Sequence, residues 1–194
     1  MKHIVLFASG AGSNAENIIR HFKNSAIATV AAVFTNNPKA GVLDKAVAHD
    51  VPIVLFTKEG FEDGTVLNQL HEYKPNLIVL AGFLLKIPTN IIKAFPNRIV
   101  NIHPALLPNY GGRGMYGIHV HRAVLESGDS ESGISIHFVD EHYDSGDLIF
   151  QERISIEGCA SEQEIAEKIH DLEYEHFPRI ITQLLDEPAQ RLHL

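Results

Sequence analysis

Nowhere does this chain of 194 residues string together the roughly 20 apolar residues that a membrane span requires. It has a single cysteine, Cys159, so no internal disulfide can form and a reducing, cytoplasmic setting is expected. Long clusters of lysine and arginine are missing too. With 16 Lys and Arg against 24 Asp and Glu, the net charge is −8. Neither nucleic acid nor an anionic membrane is then expected as a partner. A small anionic substrate is compatible with that balance, because backbone N–H groups at a helix start hold an anion without any net positive charge. Met1-Lys2-His3 runs straight into an apolar stretch, so neither a signal nor a transit segment is expected. Repeats, low-complexity tracts and linkers are absent, which predicts one domain over residues 1–194.

What is present is 45% apolar residues arranged in alternating blocks. Ile4–Ala8, Thr29–Phe34, Pro52–Leu55, Leu77–Ala81 and Ile99–His103 read as strands. Ala15–Phe22, Gly41–His49, Val66–Tyr73 and a short stretch after Pro88 read as the helices between them. Apolarity that is continuous within the strands, with a helix after each, predicts an α/β fold around a parallel sheet covered on both faces. After Val120–Leu125 the pattern changes. Gly133–Val139 and Leu148–Ile154 are joined by an acidic, turn-rich loop and read as an antiparallel pair. The expected sheet is therefore mixed and mostly parallel. Ser161-Glu-Gln-Glu164 has the spacing of a capping box, and Ile165, Ile169 and Leu172 follow at helical intervals.

Ile99-Val-Asn-Ile-His-Pro-Ala-Leu-Leu-Pro108 carries the most chemical information. Alternation along a strand sends Asn101 and His103 to one face, and Pro104 ends the ladder just beyond the histidine. Ligands of open α/β sheets bind beyond the carboxyl ends of strands. An amide and a titratable imidazole there suit chemistry at a carbonyl; a histidine that merely ties down the next loop would leave the same pattern. Ser9-Gly-Ala-Gly-Ser-Asn14 lies between the first strand and the first helix. It can hold one phosphate on free N–H groups, or be a plain turn capped by Ser13 or Asn14. In Asp140-Glu-His-Tyr-Asp-Ser-Gly-Asp147, one carboxylate is expected to face His103 and keep its imidazole protonated. A solvated turn is the alternative. Glu173 shares a helix face with Ile169 and Phe177, which puts its carboxylate at the edge of burial as a candidate holder of an amine. His103, His119, His121, His137 and His142 could be imagined as metal ligands, but no recognised ligand spacing occurs and no metal is expected.

Taken together, Ser9-Gly-Ala-Gly-Ser-Asn14, Leu80-Ala-Gly-Phe83, Asn101-Ile-His-Pro104 with Leu106-Leu-Pro108, and Asp144-Ser-Gly resemble the folate-dependent phosphoribosylglycinamide formyltransferases along the whole chain. The resemblance implies a Rossmann-like formyltransferase fold and transfer of a formyl group from 10-formyltetrahydrofolate, the cosubstrate, to the amine of phosphoribosylglycinamide. It implies a catalytic trio of Asn101, His103 and Asp144. Gly12, Ser13 and Asn14 match the phosphate loop, and His170, Asp171, Leu172 and Glu173 match the segment that holds the rest of the ribonucleotide. Leu84, Leu85, Lys86 and Ile87, with Asp140, Glu141, His142, Tyr143 and Asp144, match the walls around the folate. A phosphate-binding half at about 1–100 and a folate and catalytic half at about 101–194 follow, in a monomer or homodimer.

The chain departs from the family pattern in places. Ala105 stands where serine is usual, and Tyr174 where histidine is common. Phe61-Glu-Asp-Gly64 lacks a basic residue that some members use, and Gly111-Gly-Arg-Gly-Met-Tyr-Gly117 is longer than the usual connection. Arg113 is therefore expected to supply the missing cationic contact. Of the rivals, a formyltetrahydrofolate hydrolase usually carries an extra N-terminal domain, and a methionyl-tRNA formyltransferase needs a C-terminal domain and a basic surface. A non-catalytic nucleotide-binding module would account for the glycine loop but not for Asn101, His103 and Asp144.

Overall fold

The computed structural model describes residues 1–186. They form two compact units, one of Met1–Phe83 with residues 176–186, the other of Leu84–Glu175. The first unit contains β1 (Lys2–Phe7), α1 (Ser13–Phe22), β2 (Ala28–Thr35), α2 (Val42–Ala48), β3 (Ile53–Leu55), α3 (Lys58–Glu62), α4 (Thr65–Tyr73) and β4 (Leu77–Leu80). The second contains α5 (Thr89–Ala94), β5 (Ile99–His103), α6 (Ile118–Ser127), β6 (Glu131–Phe138) and β7 (Leu148–Ser155). α7 (Glu162–Asp186) has residues in both.

In the first unit β1 pairs in parallel with β2 and with β4, and β2 with β3, giving the order β3-β2-β1-β4. Parallel neighbours need a crossover, and a helix supplies it each time. Ile4 to Phe7 of β1 are wholly buried, as the continuous apolar run anticipated. Phe7 stacks on Phe34 with ring centroids 5.1 Å apart and meets Phe83 edge-on at 5.1 Å. Phe61 packs on Phe56 at 5.0 Å and on Phe83 at 5.6 Å. Burying rings of this size stabilises by about 1.5–3 kcal/mol each, and the cluster sits where β1 and β2 end. That end is also where the Ser9–Asn14 turn departs.

In the second unit β5 pairs antiparallel with β6, and β6 with β7. The strands of the chain are thus mixed and mostly parallel within a Rossmann-like α/β fold. α3 is a short element that the apolar pattern did not announce; Thr57 caps it by accepting the Gly60 N–H at 3.2 Å. At the start of α7, Ser161 Oγ accepts the Glu164 N–H at 3.3 Å, as a capping box requires. The return bond differs: Glu164 takes the N–H of Ala160 at 2.8 Å. Pro178 lies inside α7, and Thr182 donates its hydroxyl to the Pro178 carbonyl at 2.9 Å. Among the described residues no helix is long and apolar enough to cross a membrane, and no three His, Cys, Asp or Glu side chains form a metal-holding group.

Candidate active site

β5 ends at His103, where Pro104 stops the ladder. Antiparallel register sets Asn101 opposite His137 and His103 opposite Ser135 on β6. Side chains directly opposite lie within about 4.5–5.5 Å at Cβ, so each pair meets on one face. Ser135 fastens the chain that leaves β5. Its hydroxyl donates to the Ala105 carbonyl at 2.7 Å, and its oxygen accepts the Leu107 N–H at 2.9 Å. The turn after His103 is thereby held by a neighbouring strand.

Asp144 comes from the loop between β6 and β7 with a left-handed backbone, φ 51°. Its Oδ2 lies 3.7 Å from His103 Nδ1 and accepts the N–H of Gly112 at 2.9 Å. Its Oδ1 lies 3.5 Å from His137 Nε2 and 3.4 Å from Asn101 Nδ2. One carboxylate thus stands between two imidazoles and an amide. Gly111 lies close by; a Cβ there would meet Leu107 at 2.6 Å and Asp144 at 3.3 Å, so the loop passes where a larger residue would press on both.

Backbone carbonyls decide the tautomers. His103 Nε2 faces the Tyr110 carbonyl at 2.8 Å, and a carbonyl only accepts. Nε2 therefore carries a hydrogen, and Nδ1 is the nitrogen turned to Asp144. His137 Nδ1 likewise donates to the Phe138 carbonyl at 2.8 Å, and its Nε2 lies 3.2 Å from Asn101 Nδ2.

The protonation expected of His103 needs correction. Burial pushes its pKa down, and Asp144 and the Tyr110 carbonyl, which push it up, do not make good the difference. The net direction is below the ordinary histidine value, so His103 rests neutral at pH 7. Asp144 does face it as expected, but an imidazole only 3% exposed loses more by desolvation than one carboxylate at 3.7 Å returns. Burial also pushes the Asp144 carboxyl up. A hydrogen bond from His137, the attraction of the His103 ring in its protonated form and the Gly112 N–H together outweigh that and hold it below the usual carboxylate range.

The other expected residues fall into separate groups. Gly12, Ser13 and Asn14 belong to the first unit, at the start of α1. Neither Ser13 nor Asn14 caps that helix; the cap is Gly12, at φ 74°, with no side-chain hydrogen bond to the first turn. In the second unit Leu84 and Lys86 are exposed, Leu85 is half-buried and Ile87 is buried. Across from them Asp140 is half-buried, and Glu141, His142 and Tyr143 are exposed. The two segments meet where the Lys86 ammonium lies 5.7 Å from the centroid of the Tyr143 ring. On α7, His170 Nδ1 lies 3.3 Å from Glu173 Oε2, while Asp171 is exposed and Leu172 half-buried. The Glu173 side chain is 12% exposed, at the edge of burial as its helix face implied. Glu173 also acts electrostatically on both His103 and His121.

Three contributors escaped the reading of the sequence: His137 as the partner of Asn101, Tyr110 as the carbonyl on His103, and Gly112 as the N–H on Asp144. The first had a signal. Ser135 and His137 alternate in β6 as Asn101 and His103 do in β5, and two polar pairs at equal spacing suit one face of a ladder.

A model of the formyl transferase family matches residues 2–181. The phosphoribosylglycinamide formyltransferase of Bacillus subtilis (strain 168) is 34% identical over 191 residues, which are 95% of this chain and 95% of that one. The chloroplastic phosphoribosylglycinamide formyltransferase of Arabidopsis thaliana is 35% identical over 96% of this chain, which spans 66% of that protein's length. A crystal structure of phosphoribosylglycinamide formyltransferase from Bacillus halodurans matches with a TM-score of 0.87 at 32% identity, over 96% of each chain.

Proposed function

The chain belongs to the formyl transferase family, and from that premise we propose that it moves a formyl group from 10-formyltetrahydrofolate to the amine of phosphoribosylglycinamide. The products are formylglycinamide ribonucleotide and tetrahydrofolate, in purine biosynthesis. The observation that carries the proposal is the gathering of Asn101, His103 and Asp144, with contacts of 3.4 and 3.7 Å, at the end of β5.

Asn101 Nδ2, which in the resting site gives a hydrogen to Asp144 Oδ1 at 3.4 Å, turns that hydrogen to the formyl oxygen, where negative charge builds as the amine attacks. A donor so placed typically contributes a factor of ~10²–10³ to kcat. His103, neutral at rest, accepts the proton of the attacking amine at Nδ1. The imidazolium so formed lies against ionised Asp144, which stabilises it, and returns the same proton to the departing folate nitrogen. Proton and leaving group therefore balance within His103 and the two substrates. Gly12, Ser13 and Asn14 hold the phosphate on N–H groups at the start of α1. His170, Asp171, Leu172 and Glu173 hold the rest of the ribonucleotide, Glu173 orienting the amine. Leu84–Ile87 and Asp140–Asp144 line the folate. The substrates are small molecules, no metal takes part, and the protein works in the cytoplasm as a monomer or homodimer.

The test is to incubate the protein with 10-formyltetrahydrofolate, with and without phosphoribosylglycinamide. Folate is followed by absorbance and the ribonucleotide by mass. Turnover that needs the ribonucleotide and adds one formyl group to it is the expected result. Formate released without the ribonucleotide would point to a hydrolase, which no finding here favours.

A further inference from the structure

The connection Gly111–Gly117 begins beside a residue with an unusual backbone. Tyr110 has φ 56°, a left-handed conformation that costs an L-residue energy and that glycine adopts freely. Two glycines follow it directly. A tyrosine held in this state needs a compensating contact, and the phenol has one. It donates to Asp129 Oδ2 at 2.6 Å and lies 2.7 Å from Ser127 Oγ. Asp129 accepting that proton raises the phenol above its ordinary pKa. Ser127 is itself fixed, donating to the Val124 carbonyl at 2.7 Å in the last turn of α6.

The other end of the same residue reaches the chemistry. The Tyr110 carbonyl takes the His103 Nε2 hydrogen at 2.8 Å, and two residues on Gly112 gives its N–H to Asp144. We propose that Tyr110 is a positioning residue whose phenol, pinned at the end of α6, aims its strained carbonyl at His103 and so fixes that ring in the Nε2–H tautomer. With Nε2 committed, Nδ1 is the one basic nitrogen left for the reaction. An unpinned carbonyl would let the ring take either tautomer, and the Nδ1–H form carries its lone pair on Nε2, away from the Asp144 side. The loop also carries Gly112 along, so the same anchor sets the N–H that Asp144 accepts.

This assignment rests on the formyl-transfer reading for its kinetic consequence but not for its structural one. Tyr110→Phe deletes the anchor and keeps the ring. It is expected to lower kcat about tenfold, within the ~10²-fold that a 1 Å misplacement of a reacting group can cost. KM for both substrates should stay within about twofold. Asp129→Ala should do the same, and the double variant should be no worse than either single one, because both cut one anchor. Without any substrate, nitrogen spectra of ¹⁵N-histidine-labelled protein read the tautomer, with His103 assigned by its loss in His103→Gln. Wild type should show Nε2 protonated and Nδ1 bare, and Tyr110→Phe a mixture. A bare Nε2 in wild type, an unchanged tautomer in Tyr110→Phe, or losses that multiply in the double variant would each overturn the assignment. A protein with no transferase activity would sink the function proposed above, while the nitrogen spectra would still decide the role of Tyr110.

Discussion

Gly12→Ala tests the Ser9–Asn14 turn with a magnitude that comes from geometry. Gly12 has φ +74°, and a Cβ built there would stand 2.6 Å from both Cβ and Cγ2 of Val42 and 2.7 Å from its Cα. Carbon atoms settle near 3.5–4.0 Å, so something has to move by about an ångström. Val42 is wholly buried at the start of α2, and its N–H is tied to the Gly10 carbonyl at 3.2 Å, so it has little room to withdraw. Forcing alanine into the left-handed region costs roughly 1–2 kcal/mol. Overpacking adds typically ~1–3 kcal/mol, for a total of about 2–5 kcal/mol. At about 2–4 °C per kcal/mol for a chain of this size, Tm should fall by roughly 4–20 °C.

Thermal unfolding followed by circular dichroism measures this directly, and two companion variants sharpen it. Val42→Ala in the Gly12→Ala background should not restore Tm, because the Cβ and Cα that clash remain. Gly10→Ala is the control from the same turn. Nothing lies within 4 Å of its added Cβ and its φ is not left-handed, so Tm should stay within about 2 °C. In whatever Gly12→Ala protein remains folded, KM for the ribonucleotide should rise, since the N–H groups at the start of α1 are the ones displaced. A Gly12→Ala protein melting within 2 °C of wild type, or rescued by Val42→Ala, would refute the reasoning.

Asn101→Ala should cost about 10²–10³ in kcat with little change in KM, measured by steady-state kinetics; a loss under tenfold would remove the oxyanion role. Because His103 titrates below the usual histidine value and acts neutral, kcat/KM should fall as the pH drops through that lowered pKa. Asp144→Asn, which removes a charge that raises it, should move this acid limb to lower pH on a smaller rate. A limb that moves upward would contradict the neutral base. His103 and His121 are both held below their unfolded values by burial. Their unfolded forms bind protons first, near pH 6.5, so stability present above that pH is lost as pH falls toward the folded pKa. His121→Leu should flatten the decline of Tm between pH 7 and 5, and an unchanged slope would exclude His121 as a contributor. Arg113→Ala should raise KM for a substrate, and equal Michaelis constants would dispose of its cationic role.

The strands of the first unit were legible because a strand buried on both faces has to be apolar throughout, and Ile4–Phe7 and Leu77–Leu80 are. The end of β5 was legible because proline has no N–H to give the ladder. Asp144 was harder to single out. Asp140, Glu141, Asp144 and Asp147 share one loop, and local chemistry ranks none of them above the rest. What selects Asp144 is the N–H of Gly112, 32 residues earlier in the chain, together with the register that sets His137 beside Asn101. The charge on His103 was misread for a related reason. Attraction to a carboxylate follows from two residue types, whereas the desolvation that opposes it depends on everything packed around the ring. Tyr110 marks the far end of this scale. Its position before Gly111-Gly112 reads as an ordinary loop, and nothing local says that Asp129, 19 residues on, holds its phenol. Residues that bind through side chains at strand ends announce themselves by pattern. Residues that act through a carbonyl or an N–H do not, because every residue has both, and only the fold decides where they point.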